Sequence, residues 1–176
     1  MRVETEVRAS TQDSTAEARA LYTRFFERES RALLRLAYLL LGDVGDAEDV
    51  VQEVLEELYR RWGGLRQDTV MAYARTAVVN RSRSLQRRRV VARRFAPRLV
   101  QVDEVLPVGV EDRWLWDLVQ SLPRRQREVV VLRYWCDLSE AEIARALGIS
   151  SGTVKSSGHR ANTKLTAVLG QRKDVQ

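Results

Sequence analysis

The sequence predicts an all-α protein: two small helical domains joined by a flexible linker, the second holding a helix-turn-helix. Three observations predict it. Apolar residues recur every three or four positions through most of the chain, and no useful length alternates as a strand would. The prolines number 3, and two of them, Pro97 and Pro107, fall in the stretch that lacks a helical period. Near the C-terminus Gly148 separates two short periodic runs, each opened by a serine.

Residues 1–15 are polar and are expected to form a disordered tail. A first helix is expected from about Ala16 to Leu41, with Leu21, Phe25, Leu33, Leu36, Ala37 and Leu40 inward and Gly42 at its end. Asp46 is the expected cap of the second helix, "AEDVVQEVLEELYRRW". Val50, Val51, Val54, Leu55, Leu58 and Trp62 form its core face, and Glu48, Asp49, Gln52, Glu53, Glu56 and Glu57 lie mostly opposite. A loop from Gly63 to Thr69 leads to a third helix, Val70 to about Arg89, with Tyr73, Ala74, Ala77, Val78 and Leu85 inward. These helices make a first domain over 16–92. The segment 93–110 reads as the linker. A second domain, 111–170, opens with a helix bearing Trp114, Leu115, Leu118 and Val119. Pro123 suits the first turn of the next helix, which carries Val129, Val130, Leu132 and Trp135. Residues 171–176 form a short tail.

Within that second domain Ser139 and Glu142 make a capping box, and Ile143, Ala144 and Leu147 face inward. Gly148 takes a positive-φ turn, Ile149 plugs the angle, and Ser150 caps the next helix. On that helix Val154, Ala161, Leu165 and Val168 share a face, while Lys155, Ser156, His159 and Arg160 project outward at the depth of major-groove base edges. Ser150, Ser151 and the first amides suit a phosphate. Gly158 falls on the inward seam, where glycine costs helix propensity. Either a helix approaches closely there or the helix is locally weak. Close approach is the favoured reason, and leucine at 158 is then expected to clash.

Charge supports a nucleic-acid partner. Lys and Arg number 30 against 24 Asp and Glu, a net +6. Much of this sits in "VVNRSRSLQRRRVVARR", an arginine strip interleaved with Asn80, Ser82 and Ser84, which suits phosphates and some base contact. Cys136 and His159 are the sole cysteine and histidine, so the chain forms no internal disulfide and no Cys/His zinc site; Cys136 reads as buried filler. No metal cluster, phosphate-cradling glycine loop or Ser/His/Asp set is visible. Catalysis, a metal, a cofactor and a small-molecule substrate are therefore not expected. The N-terminus has no apolar signal region and "LAYLLL" is too short to span a bilayer, so a soluble intracellular protein is expected.

In this order the segments resemble the extracytoplasmic-function sigma factors of bacterial RNA polymerase, from about Leu21 to Leu169. "AYLLLGDVGDAEDVVQEVLEELYRRW" is similar to the family's polymerase-binding helix pair, and "MAYARTAVVNRSRSLQRRR" to its promoter-melting and −10-reading helix. "SLPRRQREVVVLRYWCDLSEAEIARALGISSGTVKSSGHRA" is similar to its −35-reading domain. The resemblance implies a non-catalytic cytoplasmic protein, working at the nucleoid. Such a protein binds core RNA polymerase, recognises the −10 and −35 elements of promoter DNA and directs initiation. It also admits an anti-sigma protein as a further partner, and a linker that threads along the polymerase near the RNA exit path. By position it assigns Glu48, Asp49, Gln52 and Glu53 to the polymerase. It assigns Tyr73, Asn80, Arg81, Ser84, Arg87 and Arg88 to the −10 element, with Gly63–Thr69 around a flipped base. Arg133, Ser151, Thr153, Lys155, Ser156, His159 and Arg160 go to the −35 element. The chain departs from the family at Tyr73, often Trp, at Ser157, often basic, and at Gly158, often aliphatic. A helix-turn-helix regulator of the response-regulator-effector type is the alternative, but such proteins usually carry an α/β receiver domain and none is visible. An interaction adaptor using the acidic helix is a further rival.

Overall fold

The computed structural model describes residues 2–93 and 113–173, so the expected linker lies, Arg93 apart, outside the described residues. Seven α-helices are described: α1 Arg2–Leu41, α2 Val44–Arg61, α3 Val70–Arg93, α4 Arg113–Ser121, α5 Arg124–Tyr134, α6 Glu140–Leu147 and α7 Ser151–Lys173. A 3₁₀ turn, Trp62–Gly64, follows α2, and the described residues contain no strand.

Several boundaries differ from expectation. The segment taken as a disordered tail continues as helix, because neither glycine nor proline interrupts the chain between Arg2 and Leu41. Likewise α7 runs on to Lys173 and takes in half of the expected C-terminal tail. The cap of α2 is Asp43, whose carboxylate accepts the Asp46 amide at 2.8 Å; Asp46 lies inside the first turn. Gly42 does end α1, at φ +78°. Leu21, expected inward, is exposed, because Tyr22 and Phe25 take the contact with Trp62 at ring separations of 5.2 Å. Val168 is exposed too, one turn beyond Leu165, which is partly buried against the core.

The core of the first half is the interface of α1, α2 and α3. Leu33, Leu36, Val54, Leu58, Ala74 and Val78 are among its fully enclosed side chains. In the second half, Val129, Leu132, Ile143, Leu147 and Val154 fill the angle between α5, α6 and α7.

The two halves also pack on each other, around the C-terminus of α1. A helix end leaves carbonyls without intrahelical partners. Here the Leu39 carbonyl accepts from Gln120, and the Leu40 carbonyl accepts from Gln86 and Arg127. Tyr38 and Trp116 stack beside them at 5.7 Å. Glu128 of α5, 2% exposed, receives two hydrogen bonds from the Arg83 guanidinium of α3, at 2.9 and 2.8 Å. Arg83 also donates to the Leu147 carbonyl at the C-terminus of α6, where the helix dipole favours a cation.

Candidate nucleic-acid interface

The helix-turn-helix forms as its residues dictate. Ser139 and Glu142 close the capping box, and the Ser139 hydroxyl and amide hold the Glu142 carboxyl below its ordinary range. Gly148 adopts φ +60°, which frees the chain to turn, and the Ile149 amide returns to the Ala144 carbonyl at 3.0 Å. Ser150 accepts the Thr153 amide and so opens α7. Val154 and Ala161 are buried, and this fixes the opposite face outward. Ser151, Thr153, Lys155, Ser156, His159 and Arg160 are all exposed there. Arg133 joins them from α5, across a groove of about 300 Å³ that Tyr134, Gly158 and His159 also line.

The seam of α7 differs at one position. Ser157, 7% exposed, fills the inward site between Val154 and Ala161, and Gly158 sits at the groove's half-buried edge. A methyl group at 158 would lie 3.6 Å from Val129, an ordinary van der Waals contact. The close helix approach expected there is absent.

In the first half the predicted residues divide in an unexpected way. Glu48 and Gln52 border an open apolar groove between α1 and α2, with Phe26, Leu34, Val51 and Leu55. Asp49 and Glu53 lie on the next strip of the helix, about 100° round. They face Asn80, Arg81, Ser84 and Arg88 across a second groove of about 430 Å³. The acidic and basic surfaces, read from the sequence as separate faces, therefore meet. Arg81 binds Glu53 at 3.0 Å and Glu57 at 2.7 Å. Arg89 pairs with Asp46. Arg87 donates to Ser84, and Arg88 is exposed.

Tyr73 belongs to the same network. Its hydroxyl donates to Glu57 at 2.9 Å and accepts from Arg61 at 3.0 Å. The Tyr73 hydroxyl, assisted by Arg61 and Arg81, draws the Glu57 carboxyl below its ordinary range, while the carboxylate pushes the Tyr73 phenol up. Glu57 and Glu128 were not singled out as functional residues. Each left a local trace, Glu57 in its i,i+4 spacing to Arg61 and Glu128 in its spacing to Arg124 and Arg125, but the bond from Glu128 to Arg83 spans 45 positions of sequence.

Comparison with known proteins rests on the same two halves. The model of sigma-70 region 2 matches residues 25–92, and that of sigma-70 region 4 matches residues 112–165. The RNA polymerase sigma-E factor of Streptomyces avermitilis is 35% identical over 154 residues, which cover 86% of each chain. The ECF RNA polymerase sigma factor SigM of Mycobacterium tuberculosis is 33% identical over 160 residues, 86% of this chain and 79% of that one. The chain belongs to the extracytoplasmic-function sigma factors. Like its family, this sigma factor binds core RNA polymerase and promoter DNA and directs transcription initiation. Its fold is that of the sigma factor RpoE, solved with the anti-sigma factor NepR from Bartonella quintana. The TM-score is 0.71 at 21% identity, over 85% of this chain and 96% of that one. Among the described residues no helix is long and apolar enough to cross a membrane.

Proposed function

We propose that this sigma factor divides promoter recognition between the outer face of α7 and the α3 strip, and engages polymerase through α2. The −35 element meets Ser151, Thr153, Lys155, Ser156, His159 and Arg160, with Arg133 from α5. The −10 element meets Tyr73, Asn80, Arg81, Ser84, Arg87 and Arg88. The polymerase surface centres on Glu48 and Gln52, where the apolar groove supplies buried area and the charges supply register. Asp49 and Glu53 contribute from the rim. The working units are 16–92 and 111–170, they act at the cytoplasmic nucleoid, and an anti-sigma protein is a further partner.

The observation that carries this reading is α7. Six polar and basic side chains stand exposed on one face, and the opposite face is locked by Val154, Ser157 and Ala161. Run-off transcription with core polymerase and a library of promoter fragments tests it. Addition of the protein should yield transcripts from a subset sharing −35 and −10 sequences. Glu48→Lys should reduce co-purification with core polymerase more than Asp49→Lys does. Equal retention of Glu48→Lys and wild type at raised salt removes the groove from the polymerase surface. Transcripts unchanged by Lys155→Ala and Arg160→Ala together remove α7 from the −35 contact.

A further inference from the structure

We propose that Glu57 is a positioning residue for strand opening: one carboxylate that sets both Tyr73 and Arg81 on the −10 face. The inference rests on the assignment of Tyr73 to the melted −10 strand.

Tyr73 and Arg81 are eight residues apart, two turns of α3, and so lie on one face. Glu57 reaches that face from α2 and uses both oxygens. Oε1 accepts the Tyr73 hydroxyl at 2.9 Å and pairs with Arg61 at 3.1 Å. Oε2 accepts from Arg81 at 2.7 Å. The Glu57 side chain is 18% exposed and that of Arg81 is 29% exposed, so these bonds are partly shielded from water. Arg61 closes the ring by donating to the Tyr73 hydroxyl. The phenol is thus tied at its far end by two charged groups, and charge-assisted hydrogen bonds are the stronger kind.

A base that leaves the duplex must be compensated by stacking, and an aromatic ring stacks best when its orientation is already set. Tryptophan presents a larger surface and has no hydroxyl to anchor. A tyrosine has the smaller ring, with a handle at its end. In this chain Glu57 holds that handle. The hydroxyl is therefore as much a part of the −10 face as the ring.

The test uses holoenzyme, formed from the full chain and core polymerase, on a promoter selected by the wild-type holoenzyme from a randomised library. Strand opening is followed by permanganate reactivity of unpaired thymines, and closed-complex affinity is measured separately in the cold. Glu57→Ala should slow opening about tenfold, the scale of one charge-assisted hydrogen bond. Closed-complex affinity should stay within about twofold. Tyr73→Phe should show part of that defect, and the double variant should be no worse than Glu57→Ala alone. Glu57→Gln keeps an acceptor for the phenol and should restore most of the rate. Multiplied defects in the double variant mean that the two residues act separately, and overturn the proposal. So does a Glu57→Ala defect confined to closed-complex or core binding. Normal opening by Glu57→Ala alongside slow opening by Tyr73→Ala overturns the positioning role alone. Normal opening by Tyr73→Ala removes Tyr73 from the melted strand, and this inference with it.

Discussion

The two faces assigned to DNA are built on opposite electrostatic plans. On α7 the basic groups stand free: His159 and Arg160 are exposed and make no ion pair among the described residues, and Lys155 has only a 3.9 Å approach to Glu140. On α3 three arginines are engaged by the protein's own acids, Arg81 with Glu53 and Glu57, Arg83 with Glu128, and Arg89 with Asp46. A free cation attracts any phosphate at long range, whereas a paired one must exchange partners at contact. The difference teaches that net charge says little about which surface meets duplex first. On α3, three arginines are already answered by carboxylates of α2 and α5.

The strongest way to break this comparison is to remove the buried acid. Glu128→Ala would leave Arg83, 12% exposed, without its carboxylate, and would also free Arg124 and Arg125. Losing one partner of a buried pair costs about 3–5 kcal/mol. Thermal unfolding of the intact chain should show a fall of roughly 10 °C. An unchanged melting temperature would mean that the two halves do not depend on this pair.

The next largest effect separates reader from anchor. Arg160→Ala should cost about 1–3 kcal/mol of discrimination between −35 variants. Arg88→Ala, at a proposed phosphate contact on α3, should weaken all promoters alike and flatten the salt slope by about one unit. Holoenzyme binding to −35 variants across a salt series measures both. An unaltered ranking with Arg160→Ala removes it from base reading.

Releasing a cancelled charge sharpens the comparison further. Glu53→Ala removes one of the two carboxylates on Arg81, and Glu53 is mostly exposed, so little stability is at stake. Affinity for non-specific duplex should rise, by about 1 kcal/mol or less at low salt. Filter binding or anisotropy with the free protein reads it, and unchanged affinity would show that the pairing does not restrain Arg81. The smallest effect is at Gly158. Alanine should fit against Val129 and raise stability by about 0.5–1 kcal/mol through helix propensity. A lower melting temperature would restore the close-approach explanation.

Most of the fold was legible because it is written at short range. Helical spacing along α2 named Val50, Val51, Val54, Leu55 and Leu58 of its buried face and missed only Ala47, and Ser139, Glu142, Gly148 and Ser150 specified the helix-turn-helix by local hydrogen bonding. Two carboxylates one turn apart show where that range ends. Helical periodicity told that Asp49 and Glu53 point outward, but not that α3 lies across from them while α1 lies across from Glu48 and Gln52. Which neighbour an outward residue meets depends on tertiary packing. The same holds for Arg83, whose partner is set by how the halves dock. At Gly158 a two-way choice was drawn on a seam one residue out of place, since α7 turned Ser157 inward instead.

Cys136 gives this packing a clock. It is the only thiol, 9% exposed, and burial pushes its pKa up, against the pull of Arg75 on α3. Only the thiolate attacks an alkylating reagent, so a thiol held neutral and covered reacts while the corner between α5 and α6 is lifted away. With excess reagent the labelling rate counts those openings per second, at a single site and without an engineered tag. Local opening around Cys136 is therefore measurable as chemistry, in a chain that carries its own stopwatch.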